Sequence, residues 1–147
     1  MTNGNDSAIA SWLGRTGRYG CALLLAIAAL GCSQPIYLSV QGRLSTMVEF
    51  ELRDSPTAPP VQANVTEFLV QEQNASGGWT AAWEIRGHAS LERISYGKSP
   101  AGMSVEREPV PLRANGKYRA FVTVDSLFSR RGDTVFHTDA AGSVIVK

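Results

Sequence analysis

Histidine and cysteine are scarce in this sequence, with two of each among 147 residues. Zinc and copper sites need several ligands converging on one point. His88 and His137 lie far apart along the chain, so no metal is expected. Also missing are a phosphate-binding loop of the Gly-x-x-x-x-Gly-Lys type, a Gly-x-Gly-x-x-Gly fingerprint and a Gly-x-Ser-x-Gly elbow. No nucleotide cofactor and no Ser/His nucleophile chemistry is therefore anticipated, even though Ala89-Ser90 follows His88 in a predicted loop. Excess charge of one sign is absent too, since the formal net charge is +1. Setting aside Arg15, Arg18 and Asp6 leaves 12 basic and 12 acidic residues after Cys32. A nucleic-acid partner requires a basic surplus to neutralise phosphates, and a charge-expanded disordered chain requires a surplus of either sign. Both are excluded. Long apolar runs are missing as well. The longest, Cys21 to Gly31, has eleven residues. As a helix it would cover only about half of a ~30 Å hydrocarbon core, too little for a stable span.

That short run explains itself differently. A polar segment with Arg15 and Arg18 precedes it, and small residues close it. Basic flank, apolar stretch and small-residue end form the layout of a secretory signal peptide. A soluble core helix fits poorly, because nothing polar interrupts the run to give it an outer face. A plain signal peptide and an uncleaved anchor remain as alternatives.

Ala29-Leu30-Gly31-Cys32 resembles the lipobox of bacterial lipoproteins, with Ala29 where that family usually carries Leu. The resemblance implies cleavage before Cys32, acylation of its sulfur and anchoring of the mature chain in a lipid membrane. Ser33 at the next position implies the outer membrane, with the domain facing the periplasm or the cell surface. Several acyl chains, at about 0.8 kcal/mol per buried methylene, hold a domain durably. Cys21 would be discarded, leaving one cysteine and no possible intrachain disulfide. The expected organisation is a signal peptide with a helical apolar core over residues 1–31, an anchor and tether over 32–45, and a folded domain over 46–147.

Downstream, period-two alternation dominates and sustained helical periodicity is hard to find. Val48, Phe50 and Leu52 share one strand face, with Glu49, Glu51 and Arg53 on the other. Trp79, Ala81, Trp83 and Ile85 are predicted to point inward, as are Tyr118, Ala120, Val122 and Val124. Weaker strands are predicted at 36–40, 66–71, 91–96, 103–108, 134–137 and 143–146. Between them lie Asp54 to Pro60 with three prolines, Asn74 to Gly78, Gly97 to Gly102, and Asn115-Gly116, all turn chemistry. Many short strands at this spacing predict an all-β, antiparallel two-sheet β-sandwich.

Leu112-Arg113-Ala114-Asn115-Gly116-Lys117-Tyr118 resembles the tyrosine corner of fibronectin type III domains. There a Leu, a turn and a Tyr lead into an alternating strand, and the Tyr hydroxyl returns to the backbone. The resemblance implies a fibronectin type III-like or immunoglobulin-like sandwich, with Ala114 where the family often has Pro. The missing cysteine pair excludes the antibody-type subclass.

Three groups stand out as candidates for contact with a partner. Arg131-Gly132-Asp133 falls where the last hairpin is predicted to turn. In some fibronectin-type domains that tripeptide is displayed for integrin recognition, whereas Gly-Asp is also ordinary turn chemistry. Trp79, Trp83, Tyr96 and Phe121 could form an aromatic platform. Alternation instead assigns both tryptophans to the core and leaves Phe121 to oppose the inner row. The pairs Glu49/Glu51 and Glu106/Glu108 read as solvated strand faces rather than as the two carboxylates of a glycosidase. Asn64-Val65-Thr66 and Asn74-Ala75-Ser76 match glycosylation sequons, for which a bacterial lipoprotein has no expected use. The expectation is a lipid-anchored, non-catalytic binding or assembly module whose partner is an envelope protein or a glycan. A small envelope enzyme and a secreted adhesion module presenting Arg131-Gly132-Asp133 are the alternatives.

Overall fold

Alternating patterns of this kind place one side chain of every two against a partner sheet, and the described residues form two such sheets. The computed structural model describes residues 34–127 and 129–146. The predicted signal peptide, its helix and Cys32 lie outside these residues. Among the described residues nine strands follow one another: β1 (Tyr37–Arg43), β2 (Met47–Arg53), β3 (Ala63–Gln73), β4 (Trp79–Leu91), β5 (Arg93–Ser95), β6 (Met103–Arg107), β7 (Lys117–Asp125), β8 (Arg130–Thr138) and β9 (Val144–Val146). They form a three-stranded sheet ordered β1-β2-β5 and a six-stranded sheet ordered β6-β4-β3-β7-β8-β9, with antiparallel pairing throughout. The fold is an antiparallel β-sandwich.

Strand β1 corrects the predicted boundary at residue 46. Residues 37–43, assigned to the tether, pair with β2 from Tyr37↔Arg53 to Arg43↔Met47. Ile36, Leu38 and Val40 are buried in the core. The alternation at 36–40 that marked a weak strand was the better guide. A segment that buries three aliphatic side chains cannot also act as a free spacer.

The core is a chain of rings. Tyr118 stacks on Phe136 at 5.2 Å, and Phe136 meets Phe50 edge-on at 5.7 Å. Phe50 then contacts Phe68 at 4.9 Å, Phe68 contacts Trp83 at 5.6 Å, and Trp83 contacts Tyr96 at 5.2 Å. Offset and edge-on geometries of this kind add about 0.5–1.5 kcal/mol per pair beyond burial. Phe50 belongs to the small sheet and bridges two rings of the large one, so it fastens the layers together.

The corner before β7 has the expected form. Asn115 takes a positive φ of 57°, and the Tyr118 hydroxyl accepts the Arg113 amide at 2.7 Å. Thr138 on β8 ties down the same turn by donating to the Arg113 carbonyl at 2.5 Å and accepting from the Gly116 amide at 2.9 Å.

At the opposite end, the start of β1 is held by β8. The Ile36 amide donates to the Arg131 carbonyl at 3.3 Å. The Arg130 guanidinium donates to the carbonyls of Gln34 and Pro35 at 2.8 and 3.2 Å, and to the Asp54 carboxylate at 2.8 Å.

Candidate functional site

The outer face of the six-stranded sheet collects the side chains that the core rejects. In β7 the inner row is Tyr118, Ala120, Val122 and Val124, as predicted, so Lys117, Arg119, Phe121 and Thr123 face outward. Strand β3 contributes Glu67, Leu69 and Gln71 to the same face.

Strand β4 departs from the predicted alternation. Val70 pairs with Trp83, but the next residue, Gln71, pairs with Ala81, which leaves Ala82 as the extra residue of a β-bulge. A bulge of one residue exchanges the two faces beyond it. Ala82 and Trp83 are therefore both buried, and Trp79 is turned outward rather than into the core. Unbroken alternation through β4 predicts an inward Trp79, and the bulge at Ala82 reverses it. Gly87 marks a second irregularity in the same strand. Its φ is +148°, and a side chain there would collide with the Gly102 carbonyl on the approaching loop.

The outward tryptophan completes a stack. The Arg119 guanidinium lies over Trp79, 4.7 Å from the ring centroid, and over Phe121 at 4.4 Å. Lys117 Nζ sits 5.9 Å from the Trp79 ring. Arg119 Nη2 donates to Gln71 Oε1 at 2.8 Å, while its Nε is buried with no partner among the described residues. Beside the stack is a shallow depression of about 370 Å³, lined by Glu67, Leu69, Gln71, Phe121, Thr123 and Arg131. One rim of this face is fixed by charge. Arg86 bridges Glu67 at 2.9 Å and Glu84 at 2.8 Å, and these carboxylates push its pKa above the usual guanidinium value.

This arrangement provides two rings with a guanidinium between them, flanked by an amide and a carboxylate. Rigid aromatics supply contact area at little entropic cost, and a few planar polar groups fix orientation.

The other candidates are placed differently. Arg131, Gly132 and Asp133 are not at a turn. They lie inside β8, paired with Thr123, Val122 and Phe121 respectively. Gly132 is buried because its Cα packs on Ile36; a Cβ there would run into the Ile36 carbonyl and side chain. The partner-loop reading is corrected accordingly. The β7–β8 turn comes earlier, at 126–129, and the last hairpin turns at Asp139–Gly142. His88 is in β4 rather than a loop, and His137 is in β8, with β3 and β7 between those strands. Among the described residues no group of three His, Cys, Asp or Glu could hold a metal.

Glu49 is half-buried, and Glu51 is not solvated. Glu51 is 5% exposed, held by Arg53 at 2.5 Å, Gln41 at 3.1 Å and Arg93 at 3.3 Å on the outer side of the small sheet. Sequence spacing placed Glu51 on the outer face correctly but could not foresee that two arginines would roof it. Glu106 and Glu108 are exposed, as expected. Compared with protein-family models, with curated proteins and with solved structures, the chain matches none of them.

Proposed function

We propose that this chain is an envelope lipoprotein, anchored in the outer membrane through acylated Cys32, whose fibronectin-like sandwich binds a glycan on the outer face of its large sheet. It works without catalysis. The signal-type layout ending in Ala29-Leu30-Gly31-Cys32 supports the anchor. The Tyr118 corner supports the fibronectin-like subclass.

A single observation carries the binding role. The Ala82 bulge brings Trp79 out of the core and onto Arg119 and Phe121, beside an open depression. A large ring placed where water can reach it is a recurrent feature of recognition surfaces. The order within the stack matters. Arg119 lies between the two rings, and its cation–π contacts with both limit their freedom.

Two experiments test the reading. Globomycin should cause an unprocessed precursor to accumulate, and Cys32→Ser should release the protein from the membrane fraction; normal processing under the drug refutes the anchor. Independently, the protein should co-sediment with purified peptidoglycan, and Trp79→Ala should abolish that sedimentation. Equal sedimentation of the two forms removes the proposed face. Sedimentation of neither, with capture of a defined envelope protein through the same face, replaces the glycan by a protein partner.

A further inference from the structure

The turn between β7 and β8 breaks the usual chemistry of hairpins. Such turns ordinarily carry Gly, Asn or Asp. The β3–β4 turn does so: Asn74 Oδ1 accepts the amides of Ser76 and Gly78 at 3.1 and 2.8 Å. The β7–β8 turn instead reads Ser-Leu-Phe-Ser, and Leu127 is 98% exposed. No other large hydrophobic side chain among the described residues approaches that value; the next is 48%.

The position of this apex is informative. Arg130, the first residue of β8, grips the carbonyls of Gln34 and Pro35. The apex and the amino end of the domain therefore emerge at the same pole of the sandwich. Cys32 precedes Gln34 by two residues, so chain length alone keeps it within about 7 Å of Gln34. The β3–β4 turn is at the other pole, separated from it by the eleven residues of β3, about 35 Å of strand.

We infer that the Leu127 apex is a second point of contact with the lipid surface that holds Cys32, so that the sandwich stands on its β7–β8 pole and presents the outer face of its large sheet sideways. This inference rests on the proposed acylation of Cys32. The tether makes the second contact intramolecular, so one apolar side chain suffices where it would be too weak for a free protein. Near the apex, Arg130 and Arg131 are offset by Asp54 and Asp125. The contact is apolar rather than electrostatic and should not respond to salt.

Transfer of a diacylglyceryl group onto Cys32 Sγ makes a thioether, and hydrolysis of the peptide bond before Cys32 removes Cys21 with the leader, so the mature chain has no free thiol. Leu127→Cys then gives a unique site for an environment-sensitive fluorophore, and Ala75→Cys gives the control at the opposite pole. In the full acylated protein on phosphatidylethanolamine–phosphatidylglycerol vesicles, the Leu127→Cys label should shift to shorter wavelength. It should be quenched by nitroxide-bearing lipids at low and high salt. The Ala75→Cys label should do neither. If the wild-type chain with its leader removed takes up the label, Cys32 is free; the anchor fails and this inference fails with it. If the wild-type chain takes up none while both labels stay water-like, the anchor stands and the inference is overturned.

Discussion

Trp79 and Trp83 are four residues apart in one strand and belong to two different regions of the molecule. Trp83 lies on the inner face of the large sheet, fully buried between Phe68 and Tyr96. Trp79 lies on the outer face against Arg119, with part of its ring open to water. The inner face is made of rings that meet rings, and its geometry answers to packing. On the outer face rings meet cations, and that geometry is maintained with one side toward solvent. What separates the two is a single unpaired residue, Ala82. A change that matters for stability on one face should matter for recognition on the other.

The sharpest way to break this comparison is to truncate both tryptophans. Trp83→Ala should cost about 3–5 kcal/mol in denaturant unfolding, the ordinary loss for a large core aromatic. Trp79→Ala should cost within about 1 kcal/mol, the scale of an exposed cation–π contact, while abolishing peptidoglycan sedimentation. Equal losses of stability would mean that the two faces are energetically alike.

Next in size is Gly132→Ala. The new methyl would press on the Ile36 carbonyl, and overpacking of this kind costs about 1–3 kcal/mol. Asp133→Ala, one residue away and pointing out, should leave the unfolding midpoint nearly unchanged. Such a contrast would tie Gly132 to the packing of β8 rather than to a displayed tripeptide.

Tyr118→Phe removes the acceptor of the Arg113 amide and should cost about 1–1.5 kcal/mol. It should also alter the response to alkali. Burial pushes the Tyr118 hydroxyl above its ordinary value, as it does that of Tyr96. Above roughly pH 10, the usual tyrosine value, the unfolded chain loses phenolic protons that the folded one retains. Stability should therefore fall as pH rises through that range, and the alkaline limb should be shallower in Tyr118→Phe. The smallest effect belongs to Arg119→Lys. It keeps the charge but loses the flat group that fills the gap between Trp79 and Phe121. Unfolding should move by about 0.5 kcal/mol at most, and sedimentation should weaken.

The sequence was most legible where alternation ran unbroken. Strand β7 obeys it from Lys117 to Val124, and from it the inner row, the outward Phe121 and the corner at Tyr118 all followed. Strand β2 obeyed it as well, up to the burial of Glu51, which depends on Arg93 from a strand 42 positions away in the numbering. It failed in β4, because a bulge is set by pairing with β3 and carries no local signal as plain as Gly or Pro; Ala82 resembles any other strand residue. The Trp79–Arg119–Phe121 stack was therefore read only in part. Phe121 was placed correctly, Trp79 was assigned to the core, and Arg119 was not singled out, because its role appears only once two strands separated by β3 are laid side by side. The tripeptide 131–133 was misplaced for a related reason. Its Gly resembles a turn residue, whereas this Gly is needed because Ile36, just before β1, approaches closely enough to exclude a Cβ.

The grip of Arg130 on Gln34, Pro35 and Asp54 has a mechanical consequence. Force entering at the amino end must first break that three-point clasp before it can peel β1 away from β2. Loading is thereby shared with β8, a strand held by neighbours on both sides. Severing the clasp with Arg130→Ala should lower the pulling force at which the body gives way far more than it lowers the resting free energy.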